Sequence, residues 1–314
     1  MLQSRLEAAA AQPLIRKPIP RTGERLPVIG LGTIWYRDAN YPALRQVIQR
    51  LAELGGTVID TAASYGESEG VVGRAVQELN LRRRCFLATK FDAGHTPASV
   101  PTEAQRRGPG PGGVEGPPPG ILRPIPDGVG GSVSFERSLQ RMHTDHLDLL
   151  QVHNMSDAEV LLPQMIEWKR SGKVRYIGVS APAANPERLR AVLKAFPLDF
   201  VQLDYSLGNR AADSGALQAC AEHGAAVLIN LPFGRNGLLN KAQGHRLPDW
   251  LQDIDVTSWA QFLLKWVVSH PAVTCAIPGT MNVAHLEDDL RAGQGRLPNA
   301  KQRLRMEQEW ASLA

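Results

Sequence analysis

The stretch "VIDTAASYGESE", residues 58–69, runs from an apolar, β-branched strand directly into Asp60 and then, five residues on, into Tyr65. A buried strand that ends on an acid needs a reason, because a carboxylate is costly to bury unless it is paired. The segment is followed by a helix-period stretch at 68–79 and preceded by another at 41–55, so it reads as a strand between two helices.

The same alternation repeats along the chain. "LPVIGLGT" (26–33) precedes 41–55, "TVIDTA" precedes 68–79, and "CFLATK" (85–90) precedes a helical segment near 133–142. "LDLLQVH" (147–153) precedes 158–171, "VRYIGVS" (174–180) precedes 186–195, and "DFVQLDYS" (199–206) precedes 213–223. "AAVLINL" (225–231) leads through a loop to 257–269, and "TCAIPG" (274–279) leads to 283–291. Strand-helix cycles imply parallel strands with crossover helices. Eight cycles in about 250 residues predict an α/β (β/α)8 TIM barrel. Residues 14–27, with Arg21-Thr22-Gly23-Glu24 as a turn, predict an N-terminal β-hairpin that covers one barrel end, and 297–312 predicts a C-terminal helix. The domain expected is thus 14–314, after a tail at 1–13.

One segment breaks the pattern. Residues 106–131 hold 9 Gly and 7 Pro in 26 residues. Such a composition predicts a disordered insertion after the third barrel strand. A linker between two domains is the competing reading, but neither side makes a closed fold alone. The segment contains Gly108, Gly110 and Gly113 in dinucleotide-fingerprint spacing, yet no strand leads into it and no helix follows directly, so the match is spurious.

Composition excludes several functions. Among 314 residues, Lys+Arg (35) and Asp+Glu (31) are interspersed without a long basic run, which argues against nucleic-acid binding. Arg82, Arg83 and Arg84 read as a solvated connection. Three scattered cysteines offer neither a disulfide framework nor zinc spacing. No stretch is apolar enough for a membrane span. A cytoplasmic protein is expected, as a monomer or weak homo-oligomer.

In a (β/α)8 barrel the site is built where the strands end. The polar residues there are Asp60 and Tyr65, Lys90, His153, Ser180, then Gln202 and Tyr205, and finally "PGT". Each has an ordinary reading: a turn aspartate, a snorkelling lysine, a core histidine, a loop aromatic. Together they are complementary. Ionised Asp60 would hold Lys90 protonated, and Lys90 would lower the Tyr65 hydroxyl from its free pKa of about 10. Tyr65 could then give a proton to a developing alkoxide while His153 orients the substrate oxygen. Carbonyl reduction also needs a hydride, which no side chain supplies, so a nicotinamide cofactor is implied.

"GLGT", "IDTAASYGESE", "LATK", "LDLLQVHN", "IGVS" and "IPGTMNVAHLEDDL" occur in this order, and through them the chain resembles the aldo-keto reductases from about residue 26 to 292. The resemblance implies a barrel that binds NADP(H), and possibly NAD(H), across its strand ends. It implies a catalytic tetrad of Asp60, Tyr65, Lys90 and His153, with Tyr65 as general acid, and a small-molecule carbonyl substrate. It places the cofactor on Gly32 and Thr33, with Ser180 and Gln202 holding the carboxamide and Ala181 standing where an asparagine is usual. It places Leu231, Phe233 and Gly234 over the pyrophosphate, and Gly279, Thr280, Asn282, His285 and Asp289 around the adenosine. The tyrosine that commonly stacks on the nicotinamide falls near Asn230 or Leu231, and Phe233 or Tyr205 could substitute. Val283 and His285 stand where NADP-preferring relatives carry a basic residue. Trp35, Tyr36, Phe91, Asn154 and Met155 would line the substrate pocket.

Two rivals remain at this stage. A cofactor-sensing regulatory barrel would bind cofactor with little turnover. A metal-dependent hydrolase would need several His or acidic ligands at strand ends, and "HTDH" (143–146) lies elsewhere.

Overall fold

Val58, Ile59 and Asp60 form a strand in which all three residues are buried. The computed structural model describes residues 12–91, 129–181 and 185–313. Within them the strands are β1 (Arg16–Pro18), β2 (Arg25–Pro27), β3 (Leu31–Gly32), β4 (Val58–Asp60) and β5 (Phe86–Phe91), followed by β6 (Leu147–Val152), β7 (Val174–Ala181), β8 (Phe200–Asp204), β9 (Ala226–Asn230) and β10 (Cys275–Ala276). β3 to β10 form one sheet in chain order, each parallel to its neighbour. Bridges from Ile29 to Ala276 and from Gly32 to Gly279 join the last strand to the first. The amides of Gly30 and Gly32 donate to Ala276 O and Pro278 O at 2.8 and 2.9 Å. The sheet therefore closes into the expected barrel, and edges disappear.

Each expected crossover helix is present, in chain order Tyr41–Glu53, Ser68–Glu78, Val129–Arg141, Ala158–Arg170, Pro186–Ala195, Ala216–His223, Trp259–Val268 and Val283–Arg291. The hydrophobic core lies in two shells because side chains alternate along each strand. One shell packs between strands and helices. The other fills the barrel with Val58, Phe86, Ala88, Leu149, Tyr176, Phe200, Ala226 and Leu228, among others. Ile19 and Leu26 from the β1–β2 hairpin belong to that inner cluster, so the hairpin plugs the end where the strands begin.

The alternation also sets the other end. The inner face reads Val58 then Asp60, Ala88 then Lys90, Leu149 then Gln151, Phe200 then Gln202, and Leu228 then Asn230. The apolar filling gives way to polar side chains within the last three residues of each of these strands. The inner position 178 on β7 is glycine because a Cβ there would meet Phe200 O at 2.4 Å.

Several expectations are revised. Residues 129–131, read as part of the insertion, open the helix Val129–Arg141, with Gly131 fitted where a Cβ would lie 2.8 Å from Gln164 Oε1. Residues 106–128 and most of the expected tail lie outside the described residues. The loop after β9 holds two unforeseen pieces, the helix Gly237–Ala242 and the 3₁₀ turn Asp249–Ile254. Arg82 is anchored rather than solvated: it pairs with buried Asp148 at 2.9 Å and donates to His146 O at 3.0 Å. The C-terminal helix runs Ala300–Ser312 and starts on an Asn299–Gln302 capping box.

Candidate active site

Asp60 and Lys90 leave neighbouring strands on the inner face, and both are buried. Lys90 Nζ donates to Asp60 Oδ2 at 2.6 Å and to Thr61 O at 2.7 Å. Gln151 reaches the other carboxylate oxygen at 3.5 Å. Burial pushes the Asp60 carboxyl above its ordinary range, while Lys90 and the Gln202 and Gln151 amides pull it back. For Lys90 burial works against the charge, but Asp60 and Tyr65 win and leave the ammonium above its ordinary value. Both the charge and the hydrogen bond of Asp60 favour the protonated form of Lys90.

Tyr65 sits on the turn after β4, closed by its own amide donating to Ala62 O at 3.0 Å. Its ring lies 4.8 Å from Lys90 Nζ and meets the His153 ring edge-on, with centroids 6.0 Å apart. Its hydroxyl corrects one expectation. Burial raises its pKa, Lys90 lowers it through charge and a hydrogen bond, and the net direction is upward. Lys90 moderates the phenol rather than carrying it below its free value.

His153 begins the loop after β6. Asn154 and Met155, both at φ 54°, turn that loop through left-handed backbone. The turn is held by Asn154 N donating to Ser180 Oγ at 2.8 Å and by Arg188 donating to Met155 O at 3.0 Å. The four ionisable residues expected to act together are thus brought together at the ends of adjacent strands.

The remaining candidates divide. Ser180 is buried, with its Oγ accepting from Asn154 and its hydrogen left to donate. Gln202 is buried beside it in register, and its Oε1 has no hydrogen-bond partner among the described residues. Asn230 ends β9 on the same face, and its Oδ1 is likewise buried without a partner. The sequence marks Asn230 only as a place where a stacking tyrosine is usual; its role as an inward-facing acceptor shows once its side chain is seen to continue the Ala226–Leu228 inner row. Leu231 (φ 51°) and Gly234 (φ 55°) bend the loop after β9, and Phe233 is buried within it. Gly32 stands where a Cβ would meet Ile277 O at 2.8 Å, and Gly279 faces it across the bridge. Asn282 caps the helix Val283–Arg291 by accepting from Ala284 N and His285 N, and Thr280 accepts from Asn282 N. His285 is exposed, whereas Asp289 is buried, with its carboxyl pushed well up by burial and by Asp288.

Other candidates are turned away from the mouth. Thr33 is buried and hydrogen-bonded to Asp60 O and Ser68 Oγ, so it braces the strands. Tyr36 is buried, with its hydroxyl donating to Thr280 O at 3.3 Å. Phe91 alternates outward from Lys90 and packs on Trp168. Met155 is buried in the outer core. Tyr205 is fully buried, stacked on Trp266 and bonded to Arg303, and cannot stack on a nicotinamide. Of the pocket residues, Trp35, 44% exposed, and Asn154 remain at the rim.

The residues fit a nicotinamide cofactor. A primary carboxamide has an oxygen to accept and N–H groups to give; Ser180 offers a donor, and Gln202 and Asn230 offer unmet acceptors. An unmet buried acceptor costs about 1–3 kcal/mol, which such a ligand would relieve. Among the described residues no group of three His, Cys, Asp or Glu could hold a metal ion, so the hydrolase reading finds no centre there.

Comparison with known proteins agrees with this geometry. The sequence model of the aldo/keto reductase family matches residues 28–303. The aldo-keto reductase yakc (NADP(+)) of Schizosaccharomyces pombe is 25% identical over 316 residues, covering 88% of this chain and 86% of that protein. The methylglyoxal reductase YeaE of Escherichia coli is 29% identical over 296 residues and covers 88% of each. An aldo-keto reductase from Bacillus halodurans in its holo form superposes with a TM-score of 0.73 at 21% identity, over 96% of this chain and 97% of that one. One from Klebsiella pneumoniae in complex with NADPH gives 0.72 at 24%, over 96% and 95%. The chain belongs to the aldo/keto reductase family. It is an oxidoreductase of that type, and the regulatory alternative gains no support from relatives named as reductases.

Proposed function

We propose that the chain reduces an aldehyde or ketone to the alcohol, with NADPH as cofactor and NADH also usable. The observation that carries this is the Asp60–Lys90–Tyr65–His153 cluster at the mouth of a closed barrel, built around a 2.6 Å buried ion pair. When bound, the nicotinamide supplies the hydride. Ser180, Gln202 and Asn230 would hold its carboxamide, the turn at Leu231–Gly234 would cover the pyrophosphate, and Gly279, Thr280, Asn282, His285 and Asp289 would receive the adenosine. Exposed His285 offers no bidentate fork to a 2′-phosphate, which favours mixed cofactor use.

His153 donates a hydrogen bond to the substrate oxygen and fixes its direction. Tyr65 gives the proton to that oxygen as charge develops on it. Its raised pKa keeps the proton in place at neutral pH, and Lys90 stabilises the phenolate left behind. Asp60 holds Lys90 protonated and in place. Trp35 and Asn154 border the substrate.

The barrel is read as one domain over 14–314. Its three cysteines are free and buried, in keeping with a reducing, cytoplasmic setting, and a monomer or weak homo-oligomer suffices for the site. No described helix is long and apolar enough to cross a membrane. The test is NADPH and NADH oxidation by the purified protein with a reactive aromatic aldehyde, with the alcohol product identified. Tight cofactor binding without alcohol formation across a panel of aldehydes and ketones would remove the proposal.

A further inference from the structure

The turn that carries Tyr65 also carries Ser64, and the two residues address one imidazole. Ser64 Oγ lies 3.3 Å from His153 Nδ1, while the Tyr65 ring meets the same imidazole at 77°. The backbone bond from Tyr65 N to Ala62 O closes the turn and fixes the main chain from which both side chains leave.

A neutral imidazole has one N–H, so the partner of one nitrogen decides what the other offers. If His153 orients a carbonyl oxygen, Nε2 must carry the hydrogen and Nδ1 the lone pair. The group at Nδ1 must then donate. A hydroxyl can do so; a carboxylate or carbonyl in its place would impose the opposite form. The contacts that hold the 153–155 loop, from Asn154 N to Ser180 and from Arg188 to Met155 O, fix its backbone and leave the ring's own rotation to its side-chain neighbours. At 3.3 Å the Ser64 bond is long, as catalytic hydrogen bonds often are before substrate arrives.

We infer that Ser64 is a positioning residue for the reduction: its hydroxyl donates to His153 Nδ1, holds the imidazole in the Nε2–H form and aims that hydrogen at the carbonyl oxygen. The inference rests on the reading of His153 as the carbonyl-orienting group.

The test is Ser64→Ala in the full chain, with three readouts. NADPH affinity, from fluorescence quenching, should be unchanged. kcat/KM for an aromatic aldehyde should fall roughly three- to tenfold, the worth of one such hydrogen bond. The ¹⁵N imidazole resonances of His153, one of 8 histidines and assigned by difference from His153→Gln, should show Nε2–H in the wild type and lose that preference in the variant. Ser64→Thr should restore both turnover and tautomer, and Ser64→Val, matched to threonine in volume, should not; this pair decides the matter if the alanine variant fails to fold. A wild-type His153 in the Nδ1–H form, or an Nε2–H form and turnover untouched in Ser64→Ala, would overturn the inference. The tautomer is read without substrate, so this failure is distinct from a wild type that reduces no carbonyl, which would remove the functional reading instead.

Discussion

Lys90 Nζ lies 2.6 Å from Asp60 Oδ2 inside the barrel, at side-chain exposures of 1% and 3%. A pair so deeply buried gains little net stability from its own attraction, but removing one partner strands the other. Lys90→Met is therefore expected to destabilise the fold by about 3–5 kcal/mol and to abolish reduction. Asp60→Asn/Lys90→Met together should regain much of the stability and none of the activity. Urea denaturation of the three proteins checks this; a double variant no more stable than Lys90→Met would contradict the ion-pair account.

The buried thiols give a pH prediction. Burial raises Cys85 from its ordinary 9.0 to about 11 and Cys220 to about 12. A folded pKa above the unfolded one means that folding holds protons the unfolded chain releases. The stabilising contribution is complete below pH 9 and is lost as pH rises through about 11 to 12. Native protein at pH 8 should resist a thiol reagent that titrates all three cysteines after unfolding. Cys220→Ala should lose less stability than wild type between pH 8 and 11, measured by denaturant midpoint.

Gly178 permits β7 to approach β8. A Cβ there would sit 2.4 Å from Phe200 O, and backbone cannot yield as a flexible side chain can. Gly178→Ala is expected to cost about 1–3 kcal/mol or more and to disturb Ser180, two residues along the same strand. Thermal melts and NADPH titration should both register the change; a variant as stable as wild type would mean the strands can part without cost.

Asn282 caps the helix Val283–Arg291 through Ala284 N and His285 N at 2.8 and 3.4 Å. Asn282→Ala should cost about 1 kcal/mol of stability. If its amide hydrogens also meet the cofactor, Asn282→Asp, which keeps the capping oxygen but loses both N–H donors, should weaken NADPH binding while sparing stability. Wild-type affinity in Asn282→Asp would confine Asn282 to the cap.

The barrel was legible because eight short β-branched runs alternate with helical periods, and that pattern has few physical solutions. Asp60 and Lys90 were legible because charges at the ends of buried strands need partners. What escaped depends on side-chain direction at the mouth. Phe91 follows inward-facing Lys90 on β5 and so turns outward, and Tyr36, in the turn after β3, is buried with its hydroxyl on Thr280 O; a linear search for aromatics near strand ends misses both. Thr33 was read as a cofactor contact but is spent on Asp60 O and Ser68. Ser64 went unremarked because its partner, 89 residues away, is adjacent only after β4 and β6 take their places in the sheet. Tyr65 lies beside Lys90 and His153, yet its pKa direction depends on how much burial outweighs Lys90, a balance set in three dimensions.

The most direct measurement compares wild type and Tyr65→Phe for NADPH binding and for NADPH-dependent reduction of an aromatic aldehyde. Loss of the phenol should leave NADPH affinity within error of wild type and lower kcat by roughly 10²–10⁴, the range of general acid catalysis. Turnover retained in Tyr65→Phe would contradict the assignment of Tyr65 as the proton donor.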